Sequence, residues 1–151
     1  MTLASLLDLV VTTLKADLHC EPAIDDVREF SDEQFSIKVR ARLEDLSFQV
    51  YLYFNRGHYD YSYQLFGDRP LTRWDNKEDC PGLENFPHHR HLPDATIVTS
   101  SLRGDPTTDL QIVVQEIAKI LRPPKKRHRE SQDERMRRGT SDDLHTPRQR
   151  K

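Results

Sequence analysis

The chain has 151 residues, with 23 Lys/Arg against 25 Asp/Glu, and its net charge of −2 excludes a uniformly polycationic protein. Its two cysteines, Cys20 and Cys80, stand in no CxxC pair, which excludes a disulfide scaffold and points to a reducing compartment. No apolar run approaches the roughly 20 residues that cross a bilayer. Asp8 interrupts the apolar stretch Leu6–Val11 and no basic region precedes it, so no signal peptide is expected and a cytoplasmic location follows.

The average charge hides a partition. Residues 122–151 hold 11 Lys/Arg and five Asp/Glu, a balance of +6, which leaves −8 on residues 1–121. An acidic body is a poor partner for a polyanion over its whole surface, so any nucleic acid is expected on a local patch or on the basic segment.

In chain order, Leu3, Leu6, Leu7, Val10, Val11 and Leu14 recur at helical spacing, and Pro22 sets the latest end of that helix. From Gln34 the period changes to 2. Phe35, Ile37, Val39, Ala41 and Leu43 alternate with Ser36, Lys38, Arg40 and Arg42, the pattern of a strand with one wet face. Strands are expected from Ser47 to Phe54 and from Tyr59 to Phe66, with turns at Glu44-Asp45 and Asn55-Arg56-Gly57. Tyr59, Tyr61, Tyr63 and Leu65 then share a face. Pro70–Trp74 follows the turn at Gly67-Asp68, and such short links dictate antiparallel pairing. Residues 75–94 are expected to be irregular, because Pro81, Gly82, Pro87 and Pro93 interrupt them. A loop of that length inside a domain is more often functional than passive. Ala95–Ser100 reads as an edge strand. Asp105 is the N-cap and Pro106 the first residue of a helix carrying Leu110, Val113, Val114, Ile117, Ile120 and Leu121 on one face, stopped by Pro123-Pro124. The expected fold is α+β: an antiparallel β-meander packed by an N-terminal and a C-terminal helix, in one domain over residues 1–122. Residues 123–151, nearly devoid of apolar side chains, are expected to form a disordered basic tail.

The chemistry concentrates in the irregular stretch. Arg73-Trp74-Asp75-Asn76 precedes Asn85-Phe86-Pro87-His88-His89-Arg90-His91, which places three imidazoles within four residues beside two arginines. Histidine exchanges protons near neutrality, and arginine offers a planar fork suited to phosphate. One imidazole deprotonating a ribose 2′-hydroxyl, another protonating the departing 5′-oxygen and an arginine on the charged transition state would cleave a phosphodiester, with a bell-shaped pH–rate profile. The same histidines, with Asp75 and Cys80, are also metal-ligand material, although Cys80-x7-His88-His89-x-His91 matches no common zinc spacing. Trp74 reads as a core anchor, and Asp75 and Asn76 as residues that also suit loop backbone bonding.

Arg73-Trp74-Asp75-Asn76, Phe86-Pro87-His88-His89-Arg90-His91 and Asp105-Pro106 together resemble the TumE family of toxins from toxin–antitoxin modules. The resemblance runs from about Gln34 to Leu121 and does not extend into the basic tail. It implies a small toxin neutralised by direct contact with a cognate antitoxin, and ribonuclease activity. The resulting expectation is a metal-independent ribonuclease without cofactor. His88, His89 and His91 are its acid/base candidates and Asp75 orients an imidazole, while Arg73, Arg90 and Asn76 bind RNA. Two rivals stand beside it: a non-catalytic module whose histidine loop docks a protein or nucleic acid, and a metal-dependent hydrolase using the same histidines.

Overall fold

The computed structural model describes residues 1–123; the expected tail lies outside the described residues. Helix α1 (Leu3–Leu18) is followed by seven strands: β1 (Ala23–Ser31), β2 (Gln34–Leu43), β3 (Leu46–Asn55), β4 (His58–Phe66), β5 (Pro70–Asp75), β6 (His89–His91) and β7 (Ile97–Thr99). Helix α2 (Pro106–Leu121) closes the fold. The strands form one antiparallel sheet in the order β1-β2-β3-β4-β5-β6-β7, a meander in which each strand pairs with its neighbour in sequence.

Local chemistry sets the element ends. Thr2 and Ser5 cap α1 reciprocally, and His19 ends it in the left-handed region at φ 51°. The two-residue β3–β4 turn, Arg56-Gly57, takes positive φ at both positions (48° and 88°), the primed geometry that matches strand twist. The Asp105 side chain accepts from the Thr107 N–H at the start of α2.

Period-2 alternation sorts the side chains into two faces. Toward the helices point Phe35, Ile37, Val39, Phe48, Val50, Leu52, Tyr61, Tyr63, Leu65 and Trp74, all buried with Leu6, Val10 and Leu14 of α1 and Leu110, Val113, Val114 and Ile117 of α2. Helix α1 packs on α2 and β2, and α2 reaches β4. The opposite face carries Lys38, Arg40 and Arg42 of β2, Gln49, Tyr51 and Tyr53 of β3, and Ser62 and Gln64 of β4. Trp74 is the anchor its position suggested, 3% exposed.

Two strands depart from expectation. β1 was not anticipated, because bulges at Asp25 and Phe30 break its alternation and nearly every residue is exposed. β6 lies within the stretch read as irregular: Pro87 ends the loop one residue before His88, and three residues then find partners in both β5 and β7.

Candidate functional site

The Pro-His-His-Arg-His string is a strand, so its side chains alternate between the two faces of the sheet. Pairing opposes Asp75 to His89, Trp74 to Arg90 and Arg73 to His91. Arg73, Asp75, His89 and His91 therefore share the open face, whereas Arg90 shares the helix-covered face with Trp74. His88, just before the strand, also turns to the helix side.

On the helix side the contacts are those of packing. The Arg90 guanidinium lies 4.5 Å from the centre of the Trp74 ring, its Nε donates to Thr72 Oγ1 at 2.9 Å, and its Nη1 is 3.7 Å from Glu116 Oε2 on α2. His88 stacks on Tyr61, with ring centres 5.8 Å apart, and its Nδ1 is 2.8 Å from the Tyr61 hydroxyl. Burial, then the charges of Asp109 and Asp75, push the Tyr61 hydroxyl well above its ordinary value, so it stays protonated and donates. Burial lowers the His88 pKa, against the opposing charge of Asp109, and a neutral ring accepts that bond. Gly104 closes on the ring: a Cβ there would lie 3.5 Å from His88 Cε1. Asn76 is also committed to structure. Its amide accepts from Tyr61 N–H at 2.9 Å and donates to the Tyr59 carbonyl at 2.8 Å, extending the β4 pairing past the end of β5.

On the open face the contacts form a charged network. Asp75, 1% exposed, accepts from Arg73 Nε at 2.6 Å and from the Lys77 backbone N–H at 3.2 Å, and its Oδ1 lies 2.9 Å from His89 Nε2. His89 is wholly buried. Its Nδ1 is 2.8 Å from the Pro87 carbonyl, which can only accept, so Nδ1 carries a proton and Nε2 is aimed at the carboxylate. His91 Nε2 is 3.1 Å from His89 Nε2 and 3.4 Å from Asp75 Oδ2, and it accepts from Arg73 Nη2 at 2.9 Å. That acceptance puts the His91 proton on Nδ1. Burial first and the Arg73 charge second hold the His91 pKa below its ordinary 6.5, against the pull of Asp75. The His91 side chain is 24% exposed and that of Arg73 34%, so solvent reaches the network through these two.

A cleft of about 400 Å³ opens beside them, lined by Arg73 and His91 with Gln64, Arg69, Leu71 and Pro93 among others. Arg69 and Gln64 were not singled out from the sequence. Gln64 was legible through register, since it pairs with Arg73; Arg69 carried no signal beyond its place in a turn.

The sequence profile of the family described as Toxin TumE matches residues 13–121. The chain belongs to the TumE toxin family. The match takes in the network, the cleft, all seven strands and α2, and reaches further toward the N-terminus than the motifs alone suggested. No curated protein and no solved structure matches the chain. As a TumE toxin it is the toxin component of a toxin–antitoxin module, with an antitoxin as partner. Among the described residues, no helix is long and apolar enough to cross a membrane.

Proposed function

We propose that this TumE toxin is a ribonuclease that binds RNA across the open face of its sheet and cleaves it at the Arg73–Asp75–His89–His91 network. The observation that carries the reading is a row. Register aligns Arg40, Gln49, Gln64, Arg73 and His91 side by side on five consecutive strands, roughly 4.8 Å apart. Next to it runs the row Lys38, Tyr51, Ser62, Asp75 and His89. Basic and amide groups with half-buried tyrosines form a track for a sugar–phosphate backbone and its bases.

His91 is the one histidine of the network open to solvent, and its neutral ring suits a base for the 2′-hydroxyl. That oxygen attacks the phosphorus as the P–O5′ bond breaks, and the departing 5′-oxygen takes its proton from solvent water. Arg73 leaves His91 for the phosphate when RNA enters, which frees Nε2 and places a bidentate donor on the charge that develops. His89, held by Pro87 and Asp75, fixes the orientation of the imidazole beside it. Arg90 and His88 take no part in substrate contact in this reading, and Asn76 acts through the backbone.

The test is cleavage of RNA by the purified full-length chain in the presence of EDTA. Wild type cleaves, and His91→Ala loses on the order of 10²–10⁴ in rate while its RNA affinity changes little. Affinity lost in His91→Ala, with no turnover in either protein, selects the docking module, and activity that vanishes with EDTA and returns with one metal selects the metal-dependent hydrolase.

A further inference from the structure

The centre of the network is crowded with lone pairs. His89 Nε2 faces Asp75 Oδ1 at 2.9 Å, His91 Nε2 at 3.1 Å and Asp79 Oδ1 at 3.6 Å. With Nδ1 already bonded to the Pro87 carbonyl, His89 has at most one further proton, on Nε2, to set between two carboxylates, since the His91 Nε2 lone pair accepts from Arg73. Arg73 supplies the other positive charge from the side. A buried carboxylate and two imidazole nitrogens converging this closely are a donor set of the kind that holds a cation.

The separations identify which kind. Ligands at about 2.0–2.1 Å from a tetrahedral zinc ion stand about 3.3 Å from one another. Asp75 Oδ1 and His91 Nε2 stand 2.9 and 3.1 Å from His89 Nε2, within a few tenths of those edges, and His91 Nε2 lies 3.4 Å from the other carboxylate oxygen, Oδ2. All the donor atoms of this trio lie within 4.8 Å of one another. The His89 Nδ1–H bond to a backbone carbonyl is the supporting contact that metal-bound histidines make. Carboxylate and imidazole are donors that zinc accepts, and they come from rigid strands two residues or fewer from paired positions.

We propose that Asp75, His89 and His91 form a zinc(II)-binding site that switches the toxin off. Zinc takes the Nε2 lone pairs of both histidines, so His91 cannot accept a proton while the ion is bound. Arg73 is the built-in competitor: its Nη2 rests on His91 Nε2 and its Nε on Asp75 Oδ2, and it must swing outward through its exposed side for the metal to enter. Asp79, on the loop and 58% exposed, or the neighbouring Cys80 is available as a fourth ligand to close the tetrahedron, or water fills that position. The inhibitory consequence rests on the ribonuclease reading; the site itself does not.

Isothermal titration of the full chain with zinc chloride tests the site without any RNA. One zinc is expected per chain, and cobalt(II) in its place should give the intense visible absorption of a tetrahedral centre. His91→Ala should weaken zinc binding by more than the 10–100-fold that loss of a supporting bond costs. Arg73→Met, which removes the competing cation and keeps the stem, should tighten it. No saturable binding overturns the proposal. So does unchanged binding in His91→Ala, which would put the metal elsewhere. An Arg73→Met affinity equal to or below that of wild type would also refute it, since the guanidinium would then not be competing. In a cleavage assay zinc should inhibit and EDTA should restore activity. A chain that binds zinc but never cuts RNA keeps the site and loses the ribonuclease reading; one that cuts RNA and ignores zinc does the reverse.

Discussion

The two faces of the sheet give the same residue types opposite duties. Under the helices, arginine and histidine are packing elements: Arg90 covers Trp74 and reaches Glu116, and His88 stacks on Tyr61 as a neutral acceptor. On the open face, Arg73 and His91 are partly solvated and hold each other through a charge-assisted bond beside a buried carboxylate. The difference is not residue type but what surrounds it. An aromatic neighbour and a helix absorb the side chain on one side, and a cleft leaves it available on the other.

Substitutions that should behave alike if the histidine string were one site should therefore diverge. The largest difference is expected between His91→Ala and His88→Ala. The first should cost on the order of 10²–10⁴ in cleavage rate with little change in stability. The second should keep most of the rate and lose about 1–2 kcal/mol of stability, through its hydrogen bond and packing. Parallel rate losses in both would erase the distinction between the faces.

Arg90→Met comes next. It keeps the stem over Trp74 but removes the charge, and should cost about 1 kcal/mol in denaturant unfolding without altering the salt dependence of RNA binding. A flattened salt slope would mean that Arg90 reaches phosphate after all.

The smallest effect is on pH. His91 serves as a base only when neutral, and its pKa is displaced below 6.5, so the rate should fall only as pH drops through a midpoint under that value. Above it the profile should stay level through neutrality, in contrast to the bell expected of two exposed histidines, because His88 faces the helices and His89 has no access to solvent. Arg73→Met removes a charge that lowers the His91 pKa and should move the midpoint upward. A midpoint above 6.5 in wild type, or no movement in the variant, would exclude His91 as the titrating base.

Much of this fold could be read in the chain because its strands are half-buried and alternate. Phe35 to Leu43 declares both its conformation and its inward face, and the Asp105-Pro106 start of α2 is explicit. β1 escaped because its apolar residues, Ile24, Val27 and Phe30, fall out of step: two bulges shift the phase twice in nine residues. In the site, the residue cluster was legible but its division was not. Nearness in sequence suggested nearness in space, whereas the three residues of β6 obey a period of 2 that appears only once their pairing with β5 is known. Loop readings place His88 with His89; strand geometry separates them.

That alternation bears on inheritance. A segment read as one motif is under two unrelated selections at alternate positions. Residue 90 answers to Trp74 and Glu116, and residue 88 to Tyr61 and the space above Gly104, so drift there should be repaired within the helix layer. Residues 89 and 91 answer to Asp75 and Arg73 across the sheet. Among descendants of a common TumE ancestor, changes at 88 and 90 should travel independently of changes at 89 and 91. A lineage record in which position 90 changes together with 75 and 91, but not with 74 or 116, would contradict this separation.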